Sequence, residues 1–206
     1  AREDIFISTK IWASQYLTEG TVEKSLELLG TDYIDLMFIH QPAGDFMAGY
    51  RKLEKAYKEG KIKAIGISNF QVGDIESLLE TAEIKPMVNQ ILCHISNTPL
   101  ELVEYCQKNG IAVEAYSPIA HGEILHQPEI QAMAEKYGVS VPQLCIRYTL
   151  QLGTISLPKT GNPEHMKTNA EVDFEISAED MDVLKNIKHI ESYGANSGFP
   201  VYGGKL

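Results

Sequence analysis

The sequence predicts an α/β fold of repeated strand-plus-helix units, and three observations carry that prediction. Six short, nearly all-apolar runs rich in Ile and Val recur along the chain, the first five starting roughly 25–30 residues apart. Apolar stripes with helical spacing lie between them. Polar residues gather at the C-terminal end of every run.

The runs, in order, are IFISTK from Ile5, IDLMFIH from Ile34, IKAIGIS from Ile62, MVNQIL from Met87, IAVEAYS from Ile111 and TISLPK from Thr154. Continuous apolarity over so few residues is how strands buried on both faces of a parallel sheet read. The first helical stripe is Val22, Leu26 and Leu29, closed by Gly30 as a glycine C-cap. Tyr50, Leu53, Ala56 and Tyr57 form a second, ended by Gly60, and Ile75, Leu78, Leu79 and Ala82 a third. Leu102, Val103 and Cys106 end at Asn109-Gly110; Ile130, Met133, Ala134 and Tyr137 end at Gly138. Ser140-Val141-Pro142 then starts another helix, so the fifth connection is longer than the others. A helix from Pro163 and one from Ala178, the latter capped by Ser177, follow the last strand.

Parallel strands alternating with helices leave an open doubly wound sheet or a closed (β/α)₈ barrel. No GxGxxG turn follows the first strand, which counts against the doubly wound form. Lys10, His40, Ser68-Asn69, Asn89-Gln90, Tyr116-Ser117 and Lys159-Thr160 end the strands, the distribution of a TIM-type barrel, whose chemistry sits at strand C-termini. The expectation is therefore one domain, 1–206, holding six of the eight βα units of a (β/α)₈ barrel, with two units expected to be missing before Ala1. The segment 191–206 reads as a C-terminal loop, with Gly194, Gly198, Gly203 and Gly204 around the aromatic residues Tyr193, Phe199 and Tyr202.

Composition narrows the function. The chain has 206 residues and a formal net charge of −10, which argues against nucleic acid or an anionic membrane as partner. Apolar residues make up 44%, enough for a core, yet no run approaches the ~20 residues of a membrane helix. Three cysteines, Cys93, Cys106 and Cys145, lack metal-site spacing and favour reduced thiols, hence the cytoplasm. Cys93-His94 has no further ligands at plausible spacing, so no metal is expected and the pair reads as structural. Glu101, Glu104 and the charged run from Arg51 to Lys63 read as solvated helix faces. The start, Ala1-Arg2-Glu3-Asp4, shows no signal peptide and leads into the first strand-like run.

One local pattern is chemical by itself. In Leu157-Pro158-Lys159-Thr160-Gly161-Asn162-Pro163-Glu164 a strand ends in a lysine and a hydroxyl, a glycine turns, an asparagine caps and a proline takes the first helical position. Unpaired N–H groups, a positive dipole end and the Lys159 charge make an anion site. Taken alone, Lys10 reads as a solvated strand-end lysine, His40 as a core histidine, Trp12 as a half-buried indole and Ser68-Asn69 as an ordinary turn.

Taken together, FISTKIW, DLMFIHQP, AIGISNF, VNQILCH, VEAYSP and LPKTGNPEHMKTN stand in the order and spacing of the aldo-keto reductases, which the chain resembles over essentially its whole length. The resemblance implies strands three to eight of a barrel that reduces aldehydes and ketones with NADPH. It implies catalytic roles for Lys10 and His40, the lysine lowering the pKa of a tyrosine proton donor and the histidine orienting the carbonyl. The donor tyrosine and its aspartate would precede Ala1. It implies that Ser68, Asn69 and Gln90 grip the nicotinamide carboxamide, that Tyr116 stacks on its ring with the carbonyl held near His40, and that Ser117 contacts the pyrophosphate. Lys159 and Thr160 match the pair on the adenosine 2′-phosphate and Asn169 a residue on the adenine. His165 falls where NADPH-preferring members usually have arginine, and Thr168 replaces a usual glutamate. Trp12 matches a wall of the substrate pocket, Gln41 stands where a tryptophan is usual, and the C-terminal loop matches the one that sets substrate choice. The expectation is an NADP(H)-dependent reductase of a small carbonyl substrate, nearly inactive as this chain alone and prone to self-association through open sheet edges. The alternative is an inactive nucleotide-binding or structural barrel fragment.

Overall fold

The structure, a computed structural model, describes residues 1–190, which fall into two compact units; the expected C-terminal loop 191–206, with Tyr193, Phe199 and Tyr202, lies outside the described residues. Unit 1 comprises residues 1–90 and 102–112, unit 2 residues 91–101 and the chain from 113 onward.

In unit 1 the elements alternate: β1 (Ser8–Ile11), α1 (Thr21–Leu29), β2 (Leu36–Ile39), α2 (Phe46–Lys58), β3 (Ile65–Ser68), α3 (Val72–Leu79), β4 (Val88–Leu92) and α4 (Leu100–Lys108), the last two running partly into unit 2. β1 pairs parallel with β2, β2 with β3 and β3 with β4. Register places Lys10 opposite Phe38, Phe38 opposite Gly66, and Gly66 opposite Val88. All four residues of β2 and of β3 are buried, as continuous apolar strands predict. Tyr50 and Leu53 of α2 bury their stripe, each such side chain contributing roughly 1.5–3 kcal/mol. α1 stops at Gly30, whose φ of 62° is left-handed, and Thr31 N–H bonds back to Leu26.

Unit 2 holds β5 (Ala112–Tyr116) from its second residue on, a 3₁₀ segment Ala120–His126, α5 (Pro128–Tyr137), α6 (Val141–Gln151), β6 (Ile155–Leu157), α7 (Pro163–Ala170) and α8 (Ala178–Lys185). β5 and β6 pair parallel, with Tyr116 opposite Leu157. Its core gathers Ile95, Ile124, Ile130, Leu144, Tyr148 and Leu184. The expected N-caps hold: Ser140 accepts from Gln143 N–H, Asn162 from Glu164 N–H and Ser177 from Asp180 N–H.

Three expectations are corrected. The first apolar run does not begin a strand at Ile5: Arg2–Asp4 form a 3₁₀ turn, Ile5 and Phe6 are 59% and 69% exposed, and pairing starts at Ser8. Nor are β1 and β6 buried on both faces; β1 buries Ile11 alone and β6 no residue, because each has a pairing partner on one side among the described residues. The Arg51–Lys63 run is not uniformly solvated. Glu54 is buried, accepts N–H bonds from Glu83 and Ile84 and pairs with Arg51 at 2.7 Å, tying α2 to the segment that leads into β4. Cys93, Cys106 and Cys145 are free and buried, and among the described residues no helix is long and apolar enough to cross a membrane.

Candidate active site

Unit 1 brings its predicted site residues together at the C-terminal ends of β1 to β4. Lys10 and His40 close β1 and β2, and His40 N–H donates to Ile11 C=O at 3.1 Å. Trp12, half exposed, stacks against the His40 ring with centroids 4.1 Å apart and planes inclined by 51°. The Lys10 ammonium stands over the Phe38 ring, 4.8 Å from its centroid. Burial, and then the Lys10 charge, hold the His40 pKa below the ordinary histidine value, so the ring is neutral at pH 7 and presents one N–H donor. Its Nδ1 is buried without a hydrogen-bond partner among the described residues. Tyr16 fixes the chain just beyond: its hydroxyl donates to Gln41 C=O at 2.8 Å and accepts Gln41 N–H at 3.0 Å.

Ser68, Asn69 and Gln90 are buried neighbours, as expected for one set. Ser68 Oγ and Asn69 N–H both donate to Gln90 C=O at 2.9 Å. Asn69 Nδ2 donates to His40 C=O at 3.2 Å and to Ser68 Oγ at 3.3 Å. The left-handed backbone of Asn69, φ 64°, turns its side chain back along the strand ends; asparagine tolerates that region better than most residues.

In unit 2 Tyr116 ends β5, half-buried, and Ser117 follows with φ 53°. Ser117 Oγ lies 3.1 Å from His121 Nε2. A cavity of about 340 Å³ brings together Lys159, Thr160, His165 and Asn169, four residues named from sequence, with Thr168 beside them. Thr160 Oγ1 accepts Asn162 N–H at 3.1 Å, and Asn162 Oδ1 accepts Glu164 N–H at 3.0 Å. Two of the N–H groups expected to await an anion are thus engaged within the turn, and Lys159 supplies the full charge.

Sequence reasoning missed the rest of this cavity. Ser140, Pro142 and Gln143 at the start of α6, with Ile119 and Leu125, complete its lining. The helix start at Ser140 was legible; its juxtaposition with Lys159 was not, since the two lie on different elements. Tyr16 lies in no motif, and Phe38, inside DLMFIHQP, reads simply as an apolar strand residue. Cys93 and His94 are buried, and among the described residues no three metal-ligating side chains gather. Burial drives the His94 pKa down to about 4, and its Nδ1 bonds Ile95 C=O.

The sequence profile described as the Aldo/keto reductase family matches residues 1–189. The chain is 45% identical over 201 residues to the glyoxal reductase of Bacillus subtilis (strain 168), covering 95% of itself and 73% of that protein. It is 46% identical over 186 residues to the uncharacterized oxidoreductase YtbE of the same organism, covering 88% of itself and 66% of YtbE. The solved structure of MGS-M4, an aldo-keto reductase from a Medee basin deep-sea metagenome library, superposes with a TM-score of 0.86 at 38% identity, covering 91% of this chain and 72% of that one. That of aldo-keto reductase AKR2E5 complexed with NADPH superposes at 0.83 with 32% identity, covering 92% and 65%. With six parallel-sheet βα units and a family match over nearly its whole length, the chain belongs to the aldo/keto reductase family.

Proposed function

We propose that the protein reduces a small aldehyde or ketone with NADPH. The observation that carries the reading is the unit 2 cavity, where Lys159, Thr160, His165 and Asn169 converge. These groups fit the adenosine end of NADPH: an ammonium and a hydroxyl suit a 2′-phosphate, and an amide suits an adenine edge. Ser117 is assigned to the pyrophosphate and Tyr116 to one face of the nicotinamide. In unit 1 Ser68, Asn69 and Gln90 supply amide and hydroxyl groups suited to the carboxamide. NADPH, when bound, supplies the hydride.

The remaining work falls to Lys10 and His40. A neutral His40 donates one N–H bond to the carbonyl oxygen and orients it without carrying a charge of its own. Trp12 and Gln41 wall the carbonyl side, Gln41 held in place by Tyr16. Lys10 adds positive potential where an alkoxide would develop. The buried phenols of unit 1 do not supply the proton. Tyr16 is committed to Gln41 and Tyr50 to Ile84 C=O, and burial raises both pKa values. A general acid commonly contributes about 10²–10⁴-fold in rate, a share that neither Tyr16 nor Tyr50 supplies. The engagement of both phenols favours, as a second reading, a nucleotide-binding protein without turnover. The B. subtilis relative's name makes glyoxal-type dicarbonyls the first substrates to try. The three buried free thiols suit a reducing compartment, and we place the protein in the cytoplasm.

The test is a calorimetric titration with NADPH, followed by loss of reduced-cofactor absorbance with a small dicarbonyl. Saturable binding with turnover abolished by His40→Ala supports the first reading. Binding with no turnover supports the second, and absence of binding refutes both.

A further inference from the structure

Lys10, Phe38, Gly66 and Val88 are successive register partners across β1 to β4. Directly opposite residues of adjacent strands project to the same face, so the four form one row. Within it the Phe38 ring is fully buried and packs with Leu36 and Val88. A Cβ on Gly66 would overlap Cδ1 and Cε1 of that ring. The missing side chain of Gly66 is therefore the space the ring occupies. On its other side stands Lys10, with Nζ over the ring at 4.8 Å from the centroid, inside the ~6 Å reach of a cation–π interaction. A lysine is a compact charge on a flexible four-carbon stem, so the location of its ammonium has to be imposed by what it rests on.

We propose that Phe38 is a positioning residue for Lys10: its ring, seated in the gap left by Gly66, helps hold the ammonium at the C-terminal end of β1. The functional consequence rests on the reading of Lys10 as the lysine of a carbonyl-reducing site; the stacking of ammonium on ring does not. Phe38 touches no substrate or cofactor and acts through Lys10. A large aromatic residue facing a glycine across a strand pair, with a lysine at the next register position, is the pattern that marks the device.

The experiment follows the Lys10 Cε and Hε resonances by NMR in lysine-labelled protein. The ring face shields these nuclei, so the wild-type signals lie upfield of those of exposed lysines. Phe38→Tyr keeps a ring and keeps the shift. Phe38→Leu, or Phe38→Met should the leucine variant not fold, removes the ring and returns Lys10 to the exposed-lysine position. Gly66→Ala displaces the ring and moves the Lys10 signals although Phe38 is intact. A wild-type Lys10 signal without the upfield shift, or a shift that survives in Phe38→Leu and Phe38→Met, overturns the proposal. Turnover separates this result from the reading beneath it. If Lys10→Met leaves carbonyl reduction unchanged, Lys10 has no catalytic role and the functional consequence falls with it, while the NMR result still decides whether ring and ammonium stack. If Lys10→Met abolishes reduction, the ring-less variants lower kcat by about two- to thirtyfold with KM unchanged and Phe38→Tyr restores it. An unchanged kcat in the ring-less variants overturns the positioning role.

Discussion

At the residue scale the candidate site depends on side chains that never meet a substrate. Tyr16, 1% exposed, holds Gln41 by both its N–H and its C=O. Tyr16→Phe strips one acceptor and one donor from that pair without opening a large cavity. A loss of about 1–2 kcal/mol in urea unfolding is expected, with weakened carbonyl binding beside His40. His94 gives a pH prediction. Its pKa in the folded protein is about 4, because burial disfavours the charged ring and His189 and His121 add repulsion, whereas an unfolded histidine titrates near 6.5. The folded state therefore takes up the proton less readily than the unfolded chain. The stability this reflects is complete above pH ~6.5 and is lost as the pH falls toward 4, amounting to roughly 2 kcal/mol between pH 7 and pH 5. Urea midpoints across that range measure it, and His94→Gln should flatten the curve if it folds. Carboxylates held low, such as Asp180 by the Lys136 and Tyr137 hydrogen bonds, add loss of the same sign at lower pH.

Elements show where sequence patterning reached and where it stopped. Strand positions and helix ends were legible because they depend on neighbours in the chain: Gly30 and Gly138 adopt the left-handed caps their positions implied, and Ser140, Asn162 and Ser177 cap as read. Glu54 was not legible. It lies in a charged run, and only the approach of the Glu83-Ile84 backbone makes it a buried acceptor. Glu54→Ala leaves two backbone N–H groups and Arg51 without their acceptor. A cost of about 2–5 kcal/mol is expected in denaturant unfolding, much larger than for Glu101→Ala on an exposed helix face. The beginning of β1 was also misread, since Ile5 and Phe6 are apolar yet exposed beside a strand paired on one side.

Across the whole molecule, six motifs in one order identified the family and the fold, while no single motif did so. Most of the residues named from sequence lie at a strand end or in the turn after it, whereas Gln90 lies inside β4 and His165 and Asn169 lie within α7. What escaped was every contribution made across the sheet or between helices: Phe38 under Lys10, Tyr16 on Gln41, and α6 on the cavity that holds Lys159. That cavity also bears the central claim, because the chain carries a net charge of −10 and must attract a polyanionic cofactor by local charge. The decisive measurement is the pair of dissociation constants for NADPH and NADH, in the wild type and in Lys159→Ala. The expected result is tighter binding of NADPH by the wild type, a roughly ten- to hundredfold loss of NADPH affinity in Lys159→Ala with NADH little changed, and a several-fold wider margin in His165→Arg. Equal affinities for the two cofactors in the wild type, unaltered by Lys159→Ala, would contradict the account.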